Sequence, residues 1–144
     1  MIAMDNQSFT ITSDQVFIDL LATLEPCYLI PSTKYFTDTM LPKAYDDLKL
    51  RIQTEISEAS FLSFTSDIWT KSKTKTSYLS LTAHWLSESF EYKHRALHCK
   101  EIEGSHTGFN ISENIKEMLE NWGISMDRVH VFLRDNAFNM KAGI

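Results

Sequence analysis

The apolar residues of this chain change period three times, and that alternation limits the folds open to it. From Ser13 to about Ala59 they recur every three to four positions; from Phe61 to Ile102 they mostly alternate. Helical spacing returns around Ile111 to Trp122, and alternation around Arg128 to Arg134. A period of 3.6 buries one stripe of a helix and a period of 2 buries one face of a strand. The chain therefore reads as a helical segment (1–59) followed by three strands, a helix and a strand (60–144), an α/β architecture.

Val16, Phe17, Leu20, Leu21 and Leu24 share one helix face; Ser13 is placed to cap that helix, and Pro26 ends it. Pro31-Ser32 marks a turn, and a short helix is expected to carry Phe36 and Met40 inward. Pro42 is expected to break it and to open the next helix, about Lys43 to Ala59, with Leu48, Ile52 and Ile56 inward. Phe61 to Trp69 reads as one strand, with Leu62, Phe64 and Ile68 opposite Ser63, Thr65 and Asp67. Tyr78 to Leu86 and Tyr92 to Ile102 complete an antiparallel meander. A helix from about Gly108 to Asn121 follows, with Gly123 suited to the position after its end. In the last strand, Val129, Val131 and Leu133 alternate with His130, Phe132 and Arg134.

Composition excludes several classes. No run of about 18 apolar residues spans a membrane, and Met1 to Thr10 lacks the basic flank and apolar run of a secretory signal. Cys27 and Cys99 form no CxxC and no disulfide framework, which suits a reducing interior. The net charge is −5, and residues 61–144 are balanced with 10 basic and 10 acidic residues. A stand-alone nucleic-acid module usually carries a basic excess, and this chain has none. No HExxH, GxSxG or glycine-rich phosphate loop is present. Trp69, Trp85 and Trp122 read as core anchors.

Two acids stand at strand ends, Asp67 near the end of the first strand and Asp135 just past the end of the fourth, 68 positions apart. If the helix is a crossover, these strands can be parallel neighbours, and both acids would meet at one sheet edge. Two carboxylates brought together repel unless a divalent cation lies between them, and Mg²⁺ takes such oxygen ligands. A carboxyl separation of roughly 4–8 Å would suit shared metal ions. Equally, an Asp at a strand end forms turns, and Asp135-Asn136 suits a helix cap. Lys71, Lys73 and Lys75 alternate just beyond Asp67, either as a solvated loop or as point charges along a DNA backbone.

Five motifs occur in order: Ser66-Asp67-Ile68-Trp69-Thr70, Tyr78-Leu79-Ser80-Leu81-Thr82-Ala83-His84, His106-Thr107-Gly108, Trp122-Gly123-Ile124 and Asp135-Asn136-Ala137-Phe138-Asn139-Met140. Upstream, Ile2 to Phe9 and Pro26 to Ser32 add to the series. Together they resemble the hAT-superfamily DNA transposases, in particular the domesticated BED-finger-associated proteins derived from them. The resemblance implies the first part of an RNase H-like core: three antiparallel strands, a helix and a parallel strand, after an all-helical segment. It implies that Asp67 and Asp135 are the first two acids of a DDE triad holding Mg²⁺ or Mn²⁺. It implies DNA as the partner of the full-length protein, a homo-oligomer built through a region not matched here, and the nucleus as its place.

The departures bear on activity. The family's third acid, a Glu, lies far downstream after a helical insertion, and nothing in residues 1–144 matches it. The upstream BED zinc finger and the C-terminal dimerisation region are likewise unmatched, as expected of a fragment, a truncated gene model or a decayed copy. Arg134 stands where the family more usually has a small polar residue; its guanidinium would compete with a metal or hold a phosphate. Two readings follow. One is a transposase-derived nuclear protein with ancestral metal-dependent strand cleavage and transfer, inactive as these 144 residues. The other is a non-catalytic interaction or transcription-regulatory module on the same fold. No small-molecule substrate is implied.

Overall fold

A computed structural model describes residues 6–134. By internal contacts the chain divides into two units between Arg51 and Ile52. The change from helix to strand comes slightly later, near the 59/60 boundary read from the pattern.

The first unit opens with a 3-10 turn, Phe9–Ser13, followed by helix α1, Gln15–Leu24. The cap is Asp14 rather than Ser13: the Asp14 side chain accepts from the Val16 amide at 3.1 Å. The preceding turn uses Ser13 as its last residue, which moves the helix start one position on. Phe17 and Leu21 are half-buried, whereas Val16, Leu20 and Leu24 are exposed. Helix α2, Thr33–Tyr35, capped by Ser32, runs through a π turn, Phe36–Met40, into helix α3, Leu41–Ser57. Pro42 therefore does not break the helix. In the π turn the Leu41 amide reaches back to the Phe36 carbonyl, and this wider winding accommodates a residue that has no N–H to donate. Phe36 is half-buried and stacks on Phe9 at 5.9 Å, but Met40 and Leu48 are exposed, against expectation.

In the second unit the last turns of α3 bury Ile52 and Ile56. Among the described residues the sheet has five strands: β1 Leu62–Ser66, β2 Ile68–Thr70, β3 Ser77–Leu86, β4 Tyr92–Ile102 and β5 Val129–Arg134. The expected single strand 61–69 is interrupted at Asp67, so β1 and β2 are separate segments along the same edge of β3. β4 pairs antiparallel with the other edge of β3, and β5 pairs parallel with β1. Helix α4, Gly108–Asn121, joins β4 to β5. Thr107 caps it by accepting from the Asn110 amide, and Ile111, Ile115, Met118 and Leu119 form its buried stripe.

The core lies on one face of the sheet. Leu62 and Phe64 of β1 and Leu79, Leu81 and Ala83 of β3 are fully buried against the α4 stripe, Ile56 and Trp122. Trp85 and Trp122 are core residues as expected. Trp69 is not: it is 42% exposed and stacks on Tyr78 at 5.8 Å, because it alternates with Ile68, which packs against the core, and so lies on the opposite face of the sheet. In β5 the faces also differ from a plain alternation. Leu62 pairs with Val129 but Ser63 pairs with Val131, a register shift at His130. The extra residue turns Phe132, not Val131 or Leu133, towards the core, where it stacks on Phe64 at 5.1 Å.

Arg128 fixes the entry of β5. Its Nη2 donates to the carbonyls of Ile56 and Ala59, each at 2.6 Å, so the end of α3 and the start of β5 are tied together. Arg95 pairs with Glu55 at 2.9 Å and Lys100 with Glu117 at 2.6 Å, joining β4 to α3 and α4. The Lys100 hydrogen bond, then its charge, holds the Glu117 carboxyl below its ordinary value.

Candidate metal-dependent nucleic-acid site

The parallel pairing of β1 and β5 positions this site. Ser66, the last residue of β1, lies opposite Arg134, the last residue of β5. Parallel strands end at the same sheet edge, so Asp67 leaves β1 where the chain leaves β5. Asp135 lies outside the described residues, as does its separation from Asp67.

Asp67 is exposed between β1 and β2. Its backbone carbonyl accepts from the Ser80 amide at 3.0 Å and sits 3.5 Å from the Ser80 hydroxyl. The Ser66 hydroxyl donates to the Ser80 carbonyl at 2.8 Å. The backbone around Asp67 is thus pinned to β3 while its carboxylate faces solvent. A carboxylate is a hard oxygen ligand of the kind Mg²⁺ takes, and Asp67 supplies one. Among the described residues no group of three or more His, Cys, Asp or Glu side chains is placed to hold a metal ion.

Lys71, Lys73 and Lys75 are exposed in the turn between β2 and β3. The Lys71 amide donates to the Thr76 carbonyl and the Lys75 amide to the Lys71 carbonyl, both at 2.8 Å, and Lys75 takes φ 56°. The three-residue β2 separates this turn from Asp67 by roughly 10 Å of extended chain. Arg134 is half-buried at the shared edge. The structure therefore sets Asp67 and Arg134 at one edge, with the lysine turn a short strand away. Trp69, read as core from the sequence, lies between them, stacked on Tyr78. Its exposure follows from the alternation, since Trp69 shares the face of Ser63 and Thr65 while Ile68 takes the core side.

On the sheet face opposite the core, a second polar group was legible only in part. His84 shares its face with Thr82, as the alternation implied. Its Nε2 lies 2.9 Å from Thr65 Oγ1, and its Nδ1 lies 2.6 Å from the Tyr92 hydroxyl. Burial, then the neighbouring His94, lowers the His84 pKa below 6.5. Tyr92 comes from β4, and no local pattern announces that contact.

Comparison with known proteins agrees with this architecture. Residues 65–143 match the ZBED1 RNase-like domain. The chain is 32% identical over 148 residues to Zinc finger BED domain-containing protein 4 of Homo sapiens, a match covering 95% of this chain and 13% of that protein. It is 29% identical over 143 residues to a Putative AC transposase of Zea mays, covering 94% of this chain and 17% of that protein. A Putative AC9 transposase of Zea mays is similar to the same degree, with 16% of its length covered. The chain thus spans less than a fifth of each of these relatives. With an RNase-like sheet, the ordered motifs and these matches in agreement, the chain belongs to the ZBED1 RNase-like domain family, among the transposase-derived BED-zinc-finger proteins.

Proposed function

We propose that these residues are part of a DNA-associated nuclear protein and carry the first half of a metal-dependent strand-transfer centre. The observation that carries the reading is the parallel β1–β5 pairing, with Ser66 opposite Arg134. It sends the chain out of both strands at one edge, where Asp67 stands and from which Asp135 follows in sequence. Asp67 and Asp135 would hold Mg²⁺ or Mn²⁺, which when bound activates water and stabilises a leaving oxygen in phosphodiester chemistry. Asp67 offers an exposed carboxylate on a pinned backbone, so its contribution is to position a ligand rather than to move a proton. Lys71, Lys73, Lys75 and Arg134 would neutralise phosphates of the strand beside it.

With two of the three acids of a DDE centre, residues 1–144 hold metal weakly and do not cleave DNA by themselves. A non-catalytic reading is favoured by Arg134: a guanidinium at the metal edge can hold a phosphate where a neutral residue would leave room for a cation. The experiment is a Mg²⁺- or Mn²⁺-dependent nicking assay on residues 1–144, with Asp67→Ala beside it, together with Mn²⁺ titration followed by electron paramagnetic resonance. The expected result is weak Mn²⁺ binding that Asp67→Ala abolishes, with background nicking in both. Nicking that disappears in Asp67→Ala would overturn the proposed inactivity; Mn²⁺ binding unchanged by Asp67→Ala would overturn the site.

A further inference from the structure

The edge strand β1–β2 lapses at one residue, and that residue is Asp67. Thr65 faces Thr82 and Ile68 faces Leu79 on β3, so Ser66 and Asp67 stand opposite Leu81 and Ser80 with no residue inserted on either side. The lapse is therefore not a bulge. The Ser80 amide donates to the Asp67 carbonyl at 3.0 Å. That makes Asp67 and Ser80 a hydrogen-bonded antiparallel pair, in which the Asp67 amide would answer into the Ser80 carbonyl. Among the described residues this return bond is missing, and the pairing skips Asp67. The Ser80 carbonyl takes the Ser66 hydroxyl instead, at 2.8 Å.

Ser66 is itself out of place in the apolar pattern. It shares the core side of β1 with Leu62 and Phe64, and it is only 5% exposed. An apolar residue would fill that position without needing a partner, whereas a buried hydroxyl must find a hydrogen bond. The bond it finds is on the one carbonyl that the Asp67 amide would otherwise use. A full ladder would hold Asp67 as it holds Thr65 and Trp69, with the side chain upright on their face of the sheet. With one bond of the pair withheld, the Asp67 peptide is anchored through its carbonyl alone, and its plane is free to turn out of the ladder.

We propose that Ser66 is a positioning residue for the Asp67 carboxylate. Its hydroxyl keeps the Asp67 amide out of the ladder and so turns the carboxylate towards the edge that β1 shares with β5. The effect on the metal rests on the function proposed above; the effect on the backbone does not.

The test reads backbone and metal separately on residues 1–144. The first readout is the scalar coupling across a hydrogen bond between the Asp67 amide nitrogen and the Ser80 carbonyl carbon, which should be absent in the unmodified chain. Ser66→Ala should make this coupling appear and slow exchange of the Asp67 amide by at least about tenfold. It should also weaken Mn²⁺ binding, followed by electron paramagnetic resonance, by about tenfold, as loss of a group that orients a ligand does. Ser66→Thr keeps the hydroxyl and should leave all three readings as they were. Ser80→Ala removes a hydroxyl 3.5 Å from the Asp67 carbonyl and should likewise change none. A role in stability alone would lower Tm in Ser66→Ala without moving the coupling or Mn²⁺ binding, and that result would overturn the proposal. So would equal losses in Ser66→Ala and Ser66→Thr. Mn²⁺ binding kept in Ser66→Ala but lost in Asp67→Ala would overturn the positioning role and leave the metal site standing. Mn²⁺ binding unchanged in Asp67→Ala would overturn site and role together, while the coupling still decides what Ser66 does to the backbone.

Discussion

Replacing Arg128 by Met tests whether the end of α3 and the start of β5 behave as one unit. The guanidinium of Arg128 donates from Nη2 to the Ile56 and Ala59 carbonyls at 2.6 Å each. Met keeps the apolar stem and removes both bonds. The Ile56 carbonyl retains the Ala59 amide as a donor at 3.1 Å, so Ala59 is the carbonyl left short. A hydrogen bond to a charged group contributes about 1.5–3 kcal/mol, and Arg128 is only half-buried. The lower end of that range is therefore appropriate, and the pair together should cost about 2–3 kcal/mol. At roughly 4 °C per kcal/mol for a chain of this size, Tm should fall by about 8–12 °C. Arg128→Lys can satisfy one carbonyl and should fall by about half as much. Urea unfolding gives the free energy, and amide exchange across Val129–Arg134 reports whether β5 loosens first, as expected if Arg128 fixes its entry. A Tm change below about 2 °C for Met, or an equal loss in Lys and Met, would refute the reasoning.

Three further outcomes follow from the same geometry. The folded chain binds a proton at His84 less readily than the unfolded chain, whose value is 6.5; stability should therefore be full above that pH and fall as pH drops through the lower folded-state value. His84→Gln should flatten that acid limb in urea titrations at successive pH values, and an unchanged limb would sink the assignment. Gly123 follows α4 at φ 69°, and an added Cβ meets nothing within 4 Å; Gly123→Ala should thus cost only the backbone term, about 1–2 kcal/mol by thermal unfolding. If Lys71, Lys73 and Lys75 each neutralise a phosphate, changing all three to Gln should lower the slope of log affinity against log salt by roughly 2–3 for DNA binding by residues 1–144; an unchanged slope makes them a solvated turn.

Most elements could be read from the order of residues because a buried face imposes its own period. The α4 stripe of Ile111, Ile115, Met118 and Leu119, and the alternation of Leu79, Leu81, Ala83 and Trp85, are direct records of that burial. The motifs around Asp67 likewise told the family, since they combine strand-end chemistry in a fixed order. Asp14 displaced Ser13 as the α1 cap because a 3-10 turn consumed the expected position, and Pro42 passed into a helix because a π turn widened the backbone before it. Both outcomes depend on backbone windings that differ little in energy, so neighbouring residues decide them. Phe132 took the core side of β5 from Val131 through one register shift against β1, and Trp69 stayed exposed because Ile68, its neighbour in β2, takes the core side. Which strands pair, in what register and under what cover are long-range facts. Sequence determined which faces of this protein are apolar and where its acids stand; only the tertiary structure decided what those faces meet, because a side chain is buried by residues distant in the chain, not by its own neighbours.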